Sequence, residues 1–291
     1  MKVSQRFAKF QENIVLMSDQ IADGVVKHSG VRKCLNNKYY NSPSSDENSL
    51  LVGAWGKDTR VRPTRNIDLF FVLPQSVYER YEAKSGNRQA QLLQEIREVL
   101  SGSYNVTAMR DDLQAALIPF TTQTVEVVPA FLQEDGRYWI CDTKSGGSYK
   151  TVDPVYEVAA VDESDMATGG NTRKLIRMLK KWQEHCSVEL KSFWIELLAV
   201  EFLTRWEFRA NSSGYYDWMV RDFFQFLIGR ANGYLILRTT YECIVLGDAW
   251  KVKAETAFVR AVKACDYEAI ENNTDAWWEW RNIFGPDVPM N

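Results

Sequence analysis

An α+β chain, with a sheet-bearing first lobe over residues 1–155 and a helical second lobe over 156–291, is what this sequence predicts. Three observations carry that expectation. Short apolar runs bounded by Gly, Pro, Asn and Ser recur between residues 50 and 131, as strands do. From Asn171 onward, apolar side chains return at the three- and four-residue spacing of helices. Between the two regimes lies only SGGSYKTVDP, too short for a flexible linker, so the lobes are expected to pack with a cleft between them.

Taken in order, Phe7, Phe10, Ile14, Val15, Met17, Ile21 and Val25 predict one long amphipathic helix over residues 4–34. Asn36 to Asn48 reads as loop, followed by a strand over Leu50 to Gly53. A second strand, IDLFFVL, runs to Leu73 and is stopped by Pro74; Val77 to Leu100 reads as helix broken near Gly86. Asn105 to Met109, Gln114 to Pro119 and Thr124 to Phe131 complete the expected strands. Asn171 to His185, Lys191 to Arg209, Trp218 to Ala231 and Asp248 to Ala264 are the helices of the second lobe.

Composition removes several functional classes. The 291 residues carry a net charge of -3, so no broad basic field is present to hold a long nucleic acid. Five scattered cysteines without a CxxC pair argue against a disulfide framework and a zinc site, and fit a reducing cytoplasm. The N-terminus lacks a signal-peptide core, and no apolar run is long enough to span a bilayer. With His28 and His185 as the only histidines, carboxylates, lysines and metal ions are the expected chemical tools.

The segment VGAWGKDTRVRPTRNIDLFFVL carries the chemistry. Gly53 and Gly56 in a turn let backbone N–H groups approach phosphate oxygens, and Lys57, Arg60 and Arg62 add positive charge. Asn66 and Asp68, two apart in a strand, share a face. Glu126, in TVEVVPAF, joins them if its strand lies alongside. Oxygen ligands converging at a sheet edge suit a pair of magnesium ions, which clamp the attacking 3'-hydroxyl and the leaving pyrophosphate in an in-line transfer.

In the order Gly53-Ala54, Gly56, Thr59, Arg62-Pro63, Asn66-Ile67-Asp68 and Val125-Glu126-Val127-Val128-Pro129, the chain resembles the bacterial cGAS-like nucleotidyltransferases (CD-NTases) of the polymerase-beta-like superfamily. ICDTKSGGSYKTVDP, NTRKLIRMLKKWQ, LKSFWIELLAVEFL and WRNIFGPDVP extend the likeness over nearly the whole chain, closest to the short clade-E-like branch. The resemblance implies a polymerase-beta-like catalytic lobe and a helical lobe, with the active site in the cleft. It also implies a cyclic dinucleotide product, pyrimidine-containing and made from UTP and ATP with two Mg2+ (or Mn2+) ions, that acts on a separate effector in CBASS antiphage defence. A DNA activator is not expected, because the chain is acidic and has no His/Cys zinc-ligand cluster, and a monomer is expected.

By the same resemblance, Asp68 and Glu126 are metal-binding carboxylates and Asn66 stands where the family has its first aspartate. Lys180, Lys191 and Ser192 correspond to triphosphate contacts, Phe193 to a base-stacking ring, and Asn171 to a residue associated with pyrimidine preference. Three of these have a plain structural alternative: Asn171 as a helix N-cap, Lys180 (with Lys181) as a solvated helix residue, and Phe193 as core. Ala54 lacks the family's serine hydroxyl. Asn66 leaves the metal site one negative charge short, which predicts very low turnover or a nucleotide-binding sensor without catalysis; a transferase acting on RNA or protein is the third reading.

Overall fold

The computed structural model describes residues 1–64, 66–104 and 114–290. The strand expected over Asn105 to Met109 lies outside them. The chain divides into two compact units: Leu16–Asp58 with Pro63–Val158, and Met1–Val15 with Thr59–Arg62 and Ala159–Asn291.

The first is the sheet unit. A long helix, α2 (Ser18–Tyr40), is followed by β1 (Ser49–Leu51), a single helical turn α3 (Gly53–Gly56), β2 (Asn66–Val72), α4 (Gln75–Glu82), α5 (Arg88–Ser101), β3 (Ala116–Pro119), β4 (Thr124–Leu132), β5 (Tyr138–Asp142) and β6 (Ser148–Val152). The six strands run in the order β1-β2-β4-β5-β6, with β3 also paired to β4. Among the described residues only β2 and β4 are parallel, and they pair from Asn66↔Thr124 to Val72↔Ala130. One face of this pair, Ile67, Leu69, Phe71, Val125 and Val127, is fully buried with Leu92, Leu93, Ile96 and Leu100 of α5 and Val31 and Leu35 of α2. The other face begins with Asn66, Asp68 and Glu126 and turns apolar at Phe70, Val72 and Val128. The alternation that made β2 legible therefore also separates core from chemistry.

The expected long first helix is two helices, α1 (Val3–Ile14) and α2 (Ser18–Tyr40). Val15 and Met17 are extended, with ψ of 153° and 161°. The carbonyls freed by the break have partners: the Arg62 amide donates to Ile14 O at 2.7 Å, and its guanidinium donates to the Glu12 and Asn13 carbonyls. A cation on the last carbonyls of a helix complements the helix dipole, so the break is stabilised where periodicity alone reads continuity. Beyond it, α2 runs on to Tyr40 through the stretch Asn36 to Tyr40 expected as loop. The buried Asn36 amide donates to the carbonyls of Ser44 and Glu47, which folds the following loop back onto the helix.

The helical unit gathers α1, α6 (Pro154–Ala167, entering it at Ala159), α7 (Asn171–His185), α8 (Ser192–Arg205), α9 (Tyr216–Ile228), the hairpin β7 (Tyr234–Ile236) and β8 (Cys243–Val245), α10 (Lys251–Ala269) and α11 (Asn273–Phe284). Strands β5 to β8 and helices α6 and α11 are additions to the sequence expectation. Ala254, Ala257, Ala261 and Ala264 give α10 a buried stripe of small side chains, which lets α9 and α11 pack close against it. Phe7, Phe10 and Ile14 of α1 are buried in this core. Arg6, 1% exposed, ties α1 to its unit: Nε donates to Glu268 Oε1 at 2.8 Å, and the guanidinium donates to the carbonyls of Asn273 and Pro289. That is why residues 1–15, assigned by sequence to the first lobe, group with the helices.

Asp217 of α9 is 5% exposed, and burial, reinforced by the nearby Glu268 charge, pushes its carboxyl up to about 6. A carboxyl raised in the folded state stabilises the fold below its ordinary range near 4 and loses that contribution as pH rises through 6. Asp217→Asn is therefore expected to match the wild type in urea unfolding at pH 4 and to exceed it by about 2–3 kcal/mol at pH 7.5. An equal gap at both pH values would show that charge is not the cause.

Candidate functional site

The site is built on the N-terminal end of β2 and the turn before it. Asn66 and Asp68 emerge on one face, and the parallel register sets Glu126 directly opposite Asp68. Asn66 Nδ2 donates to Glu126 Oε1 at 2.5 Å. Strand spacing places Asn66 and Asp68 together, and the β2–β4 register brings Glu126 beside them.

The turn is fitted to Asp68 by its glycines. Gly53 has φ of +55°, and a Cβ there would stand 2.0 Å from Asp68 Oδ2. A Cβ on Gly56 would stand 2.3 Å from Leu51 O. Neither position has room for a side chain. The Val52 amide donates to Asp68 O at 3.0 Å, so turn and strand are locked backbone to backbone. Ala54 lies within the turn and carries no side-chain hydroxyl.

Lys57 departs from its expected role. It is 2% exposed, and its ammonium faces Glu157 at 3.4 Å, in the first turn of α6. Its charge braces the turn from within rather than extending toward solvent. Glu157 went unnoticed in the sequence because the helix that carries it was not foreseen.

The remaining residues singled out from the sequence lie in the helical unit. Arg62 is engaged with the end of α1, as described above. Lys180 is a buried structural cation: Nζ donates to Glu196 Oε1 and Thr59 Oγ1, both at 2.7 Å, and to Thr59 O at 3.3 Å. The Thr59 hydroxyl donates in turn to Glu196 at 3.2 Å. Thr59 and Glu196 are 0% and 4% exposed, so this triad is sealed from water. Lys180, expected as a triphosphate contact or a solvated residue, is held here by Thr59 and Glu196. The signal that could have found its partner is the lone Glu in the otherwise apolar run FWIELLAV, since a buried carboxylate requires a cation.

Asn171 is neither an N-cap nor open to a base. Gly170 caps α7, and the Asn171 amide donates to the carbonyls of Arg209 and Asn211, each at 2.8 Å, while Oδ1 accepts from the Tyr216 hydroxyl at 2.6 Å. Both donors and one acceptor site are committed to holding the segment after α8. Lys191 is exposed at the N-cap of α8 with Nζ 5.2 Å over the Trp194 ring. The Ser192 hydroxyl donates to Gln183 Oε1 at 2.7 Å, and Phe193 packs half-buried on the helical core.

The donor set can be tested against the metal ions implied by the resemblance. Asp68 and Glu126 supply the paired carboxylates that one hard divalent cation takes. Asn66 does not complete a second site, because an amide cannot bridge two ions and this one donates a hydrogen bond to a would-be ligand. Among the described residues no group of three His, Cys, Asp or Glu side chains converges.

A profile of the family described as Second Messenger Oligonucleotide or Dinucleotide Synthetase (SMODS) domain matches residues 1–165. A probable cyclic nucleotide synthase of Bacillus cereus strain VD146 is 21% identical over 281 residues, covering 82% of this chain and 81% of that one. The solved CdnC of E. coli MS115-1, in complex with HORMA-deltaN, matches with a TM-score of 0.69 at 16% identity over 98% of each chain. DncV of Vibrio cholerae, a cyclic AMP-GMP synthase solved with the linear intermediate pppA(3',5')pG, matches with a TM-score of 0.65 at 13% identity, over 99% of this chain and 87% of that one. The structural likeness establishes the fold.

Removing one member of a buried ion pair costs more than removing both, because the survivor loses its principal counter-charge. Lys180→Met is expected to lower unfolding free energy by about 3–5 kcal/mol, and Lys180→Met with Glu196→Leu to recover most of that loss. Urea denaturation of the two variants checks this; equal losses would mean that the pair is not energetically coupled.

Proposed function

The chain belongs to the SMODS family of second messenger oligonucleotide or dinucleotide synthetases, and on that premise we propose that it binds nucleoside triphosphates and is built to join two of them into a cyclic dinucleotide. The observation that supports this reading most directly is the Asp68–Glu126 cross-strand pair set against the Gly53 turn. ATP and UTP are the proposed substrates, on the strength of the likeness to the short clade-E-like branch. The committed amide of Asn171 argues that another group reads the base. The product would act on a separate effector in antiphage defence of the CBASS type.

In the proposed reaction the 3'-hydroxyl of one nucleotide attacks the α-phosphorus of the other. A P–O bond forms, pyrophosphate leaves, and a second such step closes the ring. Asp68 and Glu126 would hold a divalent cation that offsets the charge building on the transferring phosphoryl group. Glu126, nearest the entering hydroxyl by the family pattern, orients it and takes its proton. Backbone N–H groups of the Gly53–Gly56 turn receive phosphate oxygens, without help from a side-chain hydroxyl at Ala54.

The hydrogen bond from Asn66 to Glu126 favours a second reading in which the present chain holds nucleotides but turns them over poorly. The amide stabilises the Glu126 carboxylate without adding negative charge to the site. Asn66→Asp is expected to raise formation of a phosphatase-resistant product from labelled ATP and UTP with Mg2+ on the order of 10²-fold or more. If Asn66→Asp makes no cyclic product from any nucleotide mixture, the synthase reading fails and the binding-only reading stands.

A further inference from the structure

Trp55, the residue between Ala54 and Gly56, is 5% exposed, and its ring is received by α2. A Cβ on Gly24 would stand 2.2 Å from Cη2 and 2.5 Å from Cζ2 of that ring. His28, one helical turn further along α2 and 4% exposed, meets the indole edge-on, with centroids 5.7 Å apart at 78°. Gln123 closes the seat: its Oε1 lies 3.1 Å from the same Cβ position, and its amide donates to Gln20 O of α2.

Gly24 stands within a 23-residue helix and outside the left-handed region, so conformation does not call for glycine there. Its cost to the helix is about 1 kcal/mol relative to alanine. Space for the indole is what offsets that cost.

We propose that Gly24 forms a notch in α2 into which Trp55 keys, and that the two are positioning residues for the turn Gly53–Gly56. The inference rests on reading that turn as the phosphate-binding element. Trp55 is rigid and lies two residues from Gly53, which touches Asp68, so a shift of the ring is carried to the turn amides and to the carboxylate together. The Lys57–Glu157 pair and the contact of Gly56 with Leu51 O fix the far end of the same turn. The notch fixes its middle.

The test compares Gly24→Ala, Trp55→Leu and the double variant Gly24→Ala with Trp55→Phe, using Glu95→Gln as a control. Glu95 accepts hydrogen bonds from Arg80, Tyr39 and Tyr81, so its loss destabilises the same unit away from the turn. Two quantities are read: ATP affinity by calorimetry with Mg2+, and hydrogen exchange of residues 53–57 in the free protein. Gly24→Ala and Trp55→Leu are each expected to weaken ATP binding about tenfold and to speed that exchange about tenfold, misplacement rather than lost contact being the cause. The double variant should regain most of the affinity lost in Gly24→Ala, and Glu95→Gln should lower stability while leaving both readouts at the wild-type level. Wild-type behaviour of Gly24→Ala and Trp55→Leu, or equal weakening in Glu95→Gln, overturns the notch. A wild-type chain that binds no ATP overturns the phosphate reading instead, and the exchange data then still decide whether Gly24 sets the turn.

Discussion

The parallel pairing of β2 with β4 is the constraint on which the rest of the sheet unit depends. Its register sets Asp68 against Glu126 on one face, and on the other it aligns Ile67 with Val125 and Leu69 with Val127. A slip of one residue would bury the carboxylates and expose the core, so the hydrophobic face holds the chemistry in register. Burying five large apolar side chains on that face stabilises the pairing by roughly 8–15 kcal/mol, at about 1.5–3 kcal/mol each. That far exceeds the cost of gathering polar groups on the half-exposed side. The Gly53 turn follows from the same pairing, since it fits only if Asp68 stands where the register puts it.

Charge is handled in two ways. At the site, one of three converging oxygen-bearing side chains is neutral, and its N–H serves Glu126 directly. Buried cations are paired: Lys57 with Glu157 in the sheet unit, and Arg6 with Glu268 and Lys180 with Glu196 in the helical unit. Such pairs add little net stability over apolar side chains of similar volume, but they are costly to break singly. Each fixes something that apolar packing leaves free. Arg6 fixes where α1 docks, and the Lys180–Glu196 pair fixes the hydroxyl and carbonyl of Thr59.

Several residues with a plausible chemical role on paper have a mechanical one in space. Lys57 faces the half-buried Glu157 carboxylate, Lys180 the buried Glu196 carboxylate, and Arg62 and Asn171 donate to backbone carbonyls. A buried polar group left unmatched costs about 1–3 kcal/mol, so groups of this kind are matched first. Among the described residues of the sheet unit, the backbone of the turn and the carboxylate pair are the groups proposed to meet a nucleotide.

The sequence by itself determined the fold class, the strand that carries Asn66 and Asp68, and the glycine turn before it. All of these are properties of local spacing: period two along a strand, and glycine where a side chain cannot fit. The broken first helix, the extra strands, α6 and α11, and the inward-facing lysines were decided by the tertiary structure. The break after Ile14 needs Arg62, forty-eight positions on, to take the freed carbonyls. The partner of Lys180 lies on a different helix, and Thr59 lies on a distant loop. Whether a cation reaches toward a phosphate or a buried carboxylate depends on which acceptor folding brings within 3 Å, and no periodicity along the chain encodes that distance.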